Sequence, residues 1–320
     1  MKKLIIIFTP LLCISIILGC AFGSADIMQL IGNDTDTALI IILNLRLPRV
    51  IAAVLCGIGL SVSGVLLQCV TGNTLAAPNI IGVNSGAGFC CIVMLTFFPK
   101  ASVLLQIGAF AGAFITTLVI VGIASHINAF RGTVILAGIA ITAVLNACIS
   151  FLSLLDSDVL TAYNAFSVGG LAGIRMSQLY VPAIIITGCL LCSLILSRRI
   201  QLLCLGDAIA ASLGVSISKL RIACIILASA SAAAVVSFAG LLGFVGLVVP
   251  HMARRISGER TSKLLITSSM IGAILVILAD LFGRIILAPT EIPVGIIMAL
   301  IGAPFFFILL FKRRGDNAEM

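Results

Sequence analysis

Residues 50–70 read VIAAVLCGIGLSVSGVLLQCV and contain no charged side chain. A run of about 20 apolar residues is the length that a helix needs to cross a hydrocarbon core about 30 Å thick. Similar runs recur along most of the chain, whereas a transmembrane barrel would show short strands of alternating polarity. This stretch therefore predicts an all-α, polytopic membrane protein.

The composition excludes several classes of protein. Of 320 residues, 61% are hydrophobic and 9% are charged, and the mean hydropathy is +1.32, whereas soluble proteins carry about 25% charged residues. A soluble enzyme, a nucleic-acid-binding protein and a disordered protein are excluded, and residues 1–320 are predicted to form a single transmembrane domain. The 11 cysteines lie mostly inside apolar runs, which favours packing roles over a disulfide framework.

Ten apolar segments qualify as membrane spans. The eighth contains Pro250 and is too short to cross a bilayer alone, so neighbouring helices or water must shield part of it. The ten segments are 4–22, 50–70, 80–97, 101–123, 133–154, 180–197, 222–241, 244–256, 264–286 and 293–311.

The basic residues are distributed unevenly between the two sides. If the N-terminus lies inside, only five of the 19 lysines and arginines fall in outer loops, and the other 14 fall in inner loops. Cytoplasmic loops carry such an excess of Lys and Arg, so the sequence predicts that both termini are cytoplasmic. The five outer residues are Arg46, Arg49, Lys100, Arg175 and Arg284.

The N-terminus allows a second interpretation. Lys2, Lys3, an apolar run and the Gly19-Cys20 pair resemble a lipoprotein signal in which Cys20 would be acylated. Because further spans follow where a soluble domain would be expected, we predict a first membrane helix instead.

Two arginines flank a proline before the second span, as Arg46-Leu47-Pro48-Arg49. Proline fits the first turn of a helix because it has no N–H to satisfy, so Pro48 predicts the outer start of that span. The arginines either reach toward lipid headgroups or bind carboxylates of an external partner, for which a planar guanidinium is suited.

The segment after the second span is rich in glycine and turn-forming residues. Asn73 and Pro78 predict a turn, and Gly82, Ser85 and Gly86 predict close helix packing because small residues let helices approach. The glycines do not form a phosphate-binding loop, since the chain contains no Gly-Lys dipeptide. Any use of ATP must therefore involve another subunit.

A faint internal similarity relates the two halves of the chain. Ser61-x-x-Gly64-Val65-Leu66 on the second span resembles Ser237-x-x-Gly240-Leu241-Leu242 on the seventh, and a proline follows each of them. Because the two spans run in opposite directions, these positions predict an inverted repeat of spans 2–5 and 7–10, as in many transporters.

Four blocks of sequence resemble the FecCD-type permeases. Residues 46–88 form the first, and residues 205–214, LGDAIAASLG, are similar to the family's cytoplasmic LGE-type segment. Residues 243–254, GFVGLVVPHMAR, form the third and include Gly246. The fourth runs from Leu278-Ala279-Asp280 through Arg284 to residues 291–295 and 302–305. The similarity covers about residues 40–311 in the family's order.

The resemblance implies a membrane subunit of a bacterial ABC importer for an iron–siderophore complex or haem. It implies ten helices, a second permease subunit as an identical copy or a close paralogue, two cytoplasmic ATPase subunits that hold ATP and Mg²⁺, and an extracytoplasmic binding protein. It also implies no catalysis and no cofactor on this chain. Vitamin B12 is the alternative cargo. An ion-driven transporter is a distant alternative, because such proteins need buried ionisable residues and Asp280 is the only candidate.

Two positions depart from the family pattern. The chain has no Trp, and residues 166–170 read FSVGG where relatives often have an aromatic residue. Asp207 stands where the family has Glu, which keeps the charge on a shorter side chain.

The resemblance implies that residues 198–221 contact the ATPase. Asp207 suits a helix start, and Gly214 suits a left-handed helix stop. Ser216 or Ser218 would begin a second short helix that carries Lys219. A surface loop without a partner is the alternative. The predicted coupling residues are Leu205, Gly206, Asp207, Ala208, Ala210, Ala211, Leu213 and Gly214.

Asp280 and Arg284 are four residues apart on the ninth span and predict an ion pair on one helix face. The resemblance also implies that Arg284 joins Arg46 and Arg49 in an outer cluster where the binding protein docks. Both roles are compatible. His126 and His251 are isolated from other ligands and predict no metal site. The residues predicted to serve the pathway or helix packing are Gly64, Asn73, Pro78, Gly82, Ser85, Gly86, Gly246 and Pro250.

Overall fold

A computed structural model describes residues 2–23, 35–99, 101–125 and 130–316, and all regular structure within these ranges is helical. The helices in the described ranges are α1 (Lys2–Ala21), α2 (Thr35–Ile41), α3 (Leu47–Thr71), α4 (Val83–Phe97), α5 (Ser102–Ser125), α6 (Phe130–Leu155), α7 (Ser157–Val168), α8 (Tyr180–Cys204), α9 (Asp207–Ser212), α10 (Ile217–Ala239), α11 (Val245–Ser257), α12 (Thr261–Ile285) and α13 (Val294–Asp316).

Each of the ten predicted spans coincides with one helix. In the described part of the chain, six helical stretches are long and apolar enough to cross a membrane, and three further apolar helices are shorter. The count of ten spans is therefore supported approximately. As predicted, α11 is short, with 13 residues and a proline inside it.

Three helices form the centre of the bundle. In their most apolar stretches, 83%, 72% and 78% of the residues of α3, α10 and α12 are buried, against 17% for α6 and 22% for α8. Small residues allow the close approach, because a Cβ added at Gly57 would collide with the backbone of Gly272. The hydroxyl of Ser231 also donates to the carbonyl of Gly59 at 2.9 Å.

As predicted, Pro48 lies in the first turn of α3, but the helical path begins before it. The helical path starts with α2 and passes through a π-helical turn, Ile42–Arg46, into α3. The amide of Leu47 donates to the carbonyl of Ile42, five residues earlier, and Pro48, which has no N–H, is accommodated in the first turn of α3. The proline therefore marks the start of α3, where the helix type also changes.

Helix α7, with 12 residues, was not predicted. Asp156 caps it, accepting a hydrogen bond from the amide of Asp158 at 2.8 Å. After α7, the amide of Gly170 donates to the carbonyl of Ala239 at 2.9 Å. In the opposite direction, the amide of Leu241 donates to the carbonyl of Phe166 at 3.1 Å. These bonds tie α7 to the turn between α10 and α11.

The predicted inverted repeat stays a prediction. In each half, a long central helix, α3 or α10, is followed by an irregular turn and then by a short helix, α4 or α11. The two turns meet, because a Cβ added at Gly243 would lie 3.9 Å from Nδ2 of Asn79. We call the end of the bundle with Arg46, Arg49 and Arg284 the arginine end, and the end with α9 the short-helix end.

Candidate functional site

The arginine end brings together the three arginines that the sequence singled out. Arg46 closes the π turn, Arg49 lies in the first turn of α3, and Arg284 lies in the last turn of α12. The structure thus assembles the predicted cluster from the π turn, the start of α3 and the end of α12. Arg46 and Arg284 are 6% and 3% exposed, so their partners decide what they do.

Two of these arginines bind the C-terminal end of α1. Nη1 of Arg46 donates to the carbonyls of Cys20 at 3.0 Å and Ala21 at 2.6 Å. Arg284 donates to the carbonyl of Phe22 at 3.1 Å and to that of Gly19 at 3.0 Å. The last carbonyls of a helix have no intrahelical partner, and the negative end of the helix dipole favours a cation. The two guanidinium groups therefore cap α1.

Asp280 holds the other charges of the cluster together. Its carboxylate accepts from Nε and Nη2 of Arg49 at 3.0 Å, and Nε of Arg284 lies 3.1 Å from Oδ2. The predicted pair of Asp280 and Arg284 is thus present. Nη1 of Arg49 also donates to Glu291 at 2.6 Å. Asp280 is 1% exposed, so its charge is stabilised by these ion pairs.

A cavity of about 300 Å³ opens beside this network. All three arginines line it, together with Glu291 and Gly173. The arginines are therefore not a free basic surface, since their guanidinium groups already bond within the chain. Docking of a binding protein at these residues stays a prediction, and the cavity is where an external carboxylate would enter.

The short-helix end is organised around the ion pair of Asp207 and Arg221. After α8 ends, Gly206 adopts φ +113°, which a glycine accommodates, and α9 begins at Asp207. Both carboxylate oxygens of Asp207 accept from Nη2 of Arg221 on α10, at 2.6 and 2.7 Å. Asp207 thus lies in the first turn, while Gly206 occupies the cap position without a side-chain bond.

Gly214 ends α9 as predicted, with φ +75°. Its amide donates to the carbonyl of Ala211 at 3.0 Å, and the amide of Val215 donates to that of Ala210 at 3.1 Å. These are the two bonds of a Schellman motif. The predicted second short helix is wrong: Ser216 precedes the long α10, which carries Lys219 in its first turn. The apolar run of α10 continues directly from that first turn, so no break separates a short helix from the long one.

The predicted coupling residues differ in exposure, since one is buried within the chain while others are exposed on or beside α9. Ala210 is fully buried against its own chain, so it is not available to a partner as predicted. The apolar side chains of Leu205, Ile209 and Leu213 are 55%, 48% and 60% exposed, and Ala208, Ala211 and Gly214 are exposed beside them. Residues 198–204, predicted as loop, are the last turns of α8.

The glycines predicted for packing make backbone contacts between helices. A Cβ on Gly64 would collide with the carbonyl of Gly246, and one on Gly86 would collide with the carbonyl of Gly112. Gly82 adopts φ +72° between the turn and α4. These contacts fix α3 against α11 and α4 against α5. A role in the transport pathway stays a prediction.

The polar and proline residues of this group have local roles. Oδ1 of Asn73 accepts from the amide of Leu75 at 3.0 Å, which forms the predicted turn. Pro78 begins a 3₁₀ turn. The hydroxyl of Ser85 bonds the carbonyl of Gly82 and the hydroxyl of Thr142, each at 3.1 Å. Pro250 is buried inside α11.

In the described part of the chain, no group of three or more His, Cys, Asp or Glu residues has the arrangement of a metal site. The ring of His251 packs edge-on against Phe305, with centroids 5.8 Å apart. His126 lies outside the described residues. Sequence analysis missed the pairing of Asp207 with Arg221 and the capping of α1. No signal in the sequence marks the first, since the two residues belong to different elements.

Comparisons with known proteins agree over almost the entire chain. A family model described as the FecCD transport family matches residues 4–312. The Fe(3+)-citrate import system permease protein YfmE of Bacillus subtilis is 37% identical over 97% of this chain and 94% of its own length. The hemin transport system permease protein HmuU of Yersinia pestis is 34% identical over 99% of this chain and 98% of its own.

A solved structure of a metal-chelate type ABC transporter in an inward-facing conformation superposes on the chain with a TM-score of 0.89. The two are 30% identical, and the match covers 98% of this chain and 100% of the other.

Proposed function

Because the chain belongs to the FecCD transport family, we propose that an iron chelate, either a siderophore complex or haem, crosses the cytoplasmic membrane of a bacterium through it. The family membership predicted from four blocks of sequence is confirmed. The family consists of ABC transporter permease subunits, which are not enzymes themselves. Hydrolysis of ATP therefore belongs to a separate ATPase subunit, and delivery of the cargo belongs to a substrate-binding protein.

One observation carries the choice of cargo. Two relatives that match at nearly full length are named for Fe(3+)-citrate and for hemin. The test is uptake of radiolabelled ferric citrate, a ferric hydroxamate, hemin and cobalamin by cells with and without the chain. We expect saturable uptake of at least one iron complex to depend on it. Dependence of cobalamin uptake alone would refute the proposed cargo and leave the permease assignment intact.

We propose that the short-helix end faces the cytoplasm and the arginine end faces outward. The excess of Lys and Arg on the short-helix side supports this orientation. In a background without the 11 native cysteines, Asp158→Cys should react with an impermeant thiol reagent in intact cells. Ser212→Cys should react only after the membrane is opened. Labelling of Ser212→Cys from outside would reverse the orientation.

The exposed apolar side chains around α9 are proposed to bind the ATPase subunit. Ile209 and Leu213 are exposed on α9 and directly after it, and the Asp207–Arg221 pair links α9 to α10. A displacement of α9 by the ATPase subunit would therefore move the central helix α10. The variant Ile209→Asp with Leu213→Asp should lower binding-protein-stimulated ATP hydrolysis roughly tenfold or more, as for central interface residues. Ser212→Asp, exposed on the same helix, is the matched control. Normal hydrolysis in the double variant would refute coupling through α9.

The arginine end is proposed to receive a carboxylate of the binding protein in its cavity. Glu291 supports this, because its side chain is 29% exposed and it is the outermost acidic partner of Arg49. Glu291→Gln should raise the affinity for the binding protein a few fold, since one guanidinium edge then faces the cavity without a competing carboxylate. Asp158→Asn, an exposed acid at the same end, is the control. Equal affinities in all three proteins would exclude this site.

The weakly buried face of α6 is proposed to contact a second permease subunit, either a second copy or a close paralogue. Only 17% of its most apolar stretch is buried within the chain, and Leu136, Phe151 and Leu154 are among its exposed side chains. Cross-linking through Leu154→Cys should give a permease dimer, whereas Ile184→Cys on α8 should not.

A further inference from the structure

A cavity of about 600 Å³ lies at the short-helix end, between the end of α8 and the start of α10. Leu196, Arg199 and Leu202 line it from α8, and Lys219 and Ala223 line it from α10. Leu213 closes it from the side of α9. The site is amphipathic, because two cationic side chains share one cavity with aliphatic walls.

The charges of this cavity are not balanced by the chain. Arg199 and Lys219 are exposed, no acidic residue lines the cavity, and neither cation forms an ion pair with another residue of the described ranges. The hydroxyl-bearing Ser216 lies in the same wall. Two cations and a hydroxyl group suit a phosphate group.

The cavity continues an exposed apolar stripe of α8. Ile184, Leu191 and Ile195 are 73%, 54% and 81% exposed, and their spacing of seven and four residues puts them on one helix face that leads to Arg199. Tyr180 is exposed at the opposite end of the helix. Tyr180 and Arg199 are about 28 Å apart along a helix that rises 1.5 Å per residue, close to the hydrocarbon thickness of about 30 Å.

This spacing places the two residues at the two bilayer interfaces, where Tyr and Arg are enriched. The stripe between them then contacts acyl chains, and the cavity lies at headgroup depth. We propose that this cavity binds the headgroup phosphate of an anionic phospholipid between Arg199 and Lys219, with an acyl chain along the α8 stripe. The lipid would contact Leu213 and so lie beside α9. The proposal does not depend on the cargo.

The test measures binding of fluorescent phosphatidylglycerol to the complete importer complex in nanodiscs of neutral lipid. Arg199→Gln with Lys219→Gln is the test variant, and Arg255→Gln with Arg260→Gln removes the same charge from exposed positions outside the cavity. We expect the test variant to bind phosphatidylglycerol roughly 30-fold more weakly, since each basic residue at an anionic interface contributes a factor of about five. The control should stay within about threefold of the unmodified complex.

Three results would overturn the proposal. Equal affinity in the test and control variants would show that the cavity is not the lipid site. Displacement of the lipid by soluble glycerophosphate as readily as by phosphatidylglycerol would show that the acyl chain contributes nothing. Unchanged lipid binding together with loss of the ATPase subunit on purification of the test variant would identify the cavity as a protein contact.

Discussion

The two ends of the bundle use their charged residues in opposite ways. At the arginine end, Arg46, Arg49 and Arg284 bond to carbonyls and carboxylates within the chain and are largely buried. At the short-helix end, the Asp207–Arg221 ion pair anchors α9, while Ile209 and Leu213 leave apolar side chains exposed there. The three arginines therefore fix internal structure at one end, whereas exposed apolar side chains and the cations Arg199 and Lys219 are left to partners at the other.

The largest effect is expected at Asp280. Asp280→Ala leaves Arg49 and Arg284 buried without their shared carboxylate, and loss of one partner of a buried ion pair costs about 3–5 kcal/mol. Unfolding by SDS titration in mixed micelles measures the free energy of unfolding. Asp158→Ala, which removes an exposed acid at the same end, should change it by less than about 0.5 kcal/mol. Equal losses in the two variants would remove the contrast between the ends.

A smaller loss is expected from Arg46. Arg46→Ala removes the hydrogen bonds to the carbonyls of Cys20 and Ala21, and bonds to a charged group contribute about 1.5–3 kcal/mol. The same titration should show a loss of about 2–3 kcal/mol. Arg175→Ala, an exposed arginine at this end, serves as the comparison. If both arginines matter equally, capping of α1 is not what Arg46 contributes.

At the short-helix end, Gly214 tests whether the stop of α9 depends on backbone geometry. Gly214→Val places a β-branched residue at φ +75° and should cost about 1–2 kcal/mol. No neighbouring atom lies near the added Cβ, so the cost is conformational. Gly214→Asn should cost less, because Asn tolerates this conformation. Identical losses would point to the missing glycine itself rather than to the left-handed turn.

The smallest effect is expected at Asp207. Its side chain is 46% exposed, so Asp207→Asn should lower the free energy of unfolding by about 1 kcal/mol or less. The difference should shrink as salt is added, since exposed charges are screened. Asp280→Asn, measured alongside, should keep most of its loss in salt. A loss at Asp207 as large as that at Asp280 would make the two ends alike.

Sequence predicted the features of this molecule that depend on local pattern. Apolar length gave the spans, and the position of Gly214 after a run of helix formers gave the end of α9. It also predicted that Arg46, Arg49 and Arg284 lie together, through the family resemblance. It did not predict that Arg46 and Arg284 would be buried, because the carbonyls that they bind belong to every sequence alike and carry no residue-type signal.

Two further features were not predicted from the sequence, for related reasons. Helix α7 is short and of mixed polarity, so it lacks the long apolar run that reveals a span. Phe244 adopts φ +63° against Gly302 of α13, a conformation uncommon for a residue with a side chain. Packing between segments distant in the sequence holds Phe244 in this conformation. The residues next to Phe244 in the sequence give no sign of that packing.

The caps of α1 also set an order of assembly. A chain is synthesised from its N-terminus, so α1 emerges long before α12, and the carbonyls of Gly19 and Phe22 are bound only when Arg284 has been made, 265 and 262 residues later. Arg46, which binds the carbonyls of Cys20 and Ala21, is synthesised only 26 and 25 residues after them. Helix α1 is thus among the last helices to be fully capped, and a nascent chain that stalls before α12 has the cap from Arg46 without that from Arg284.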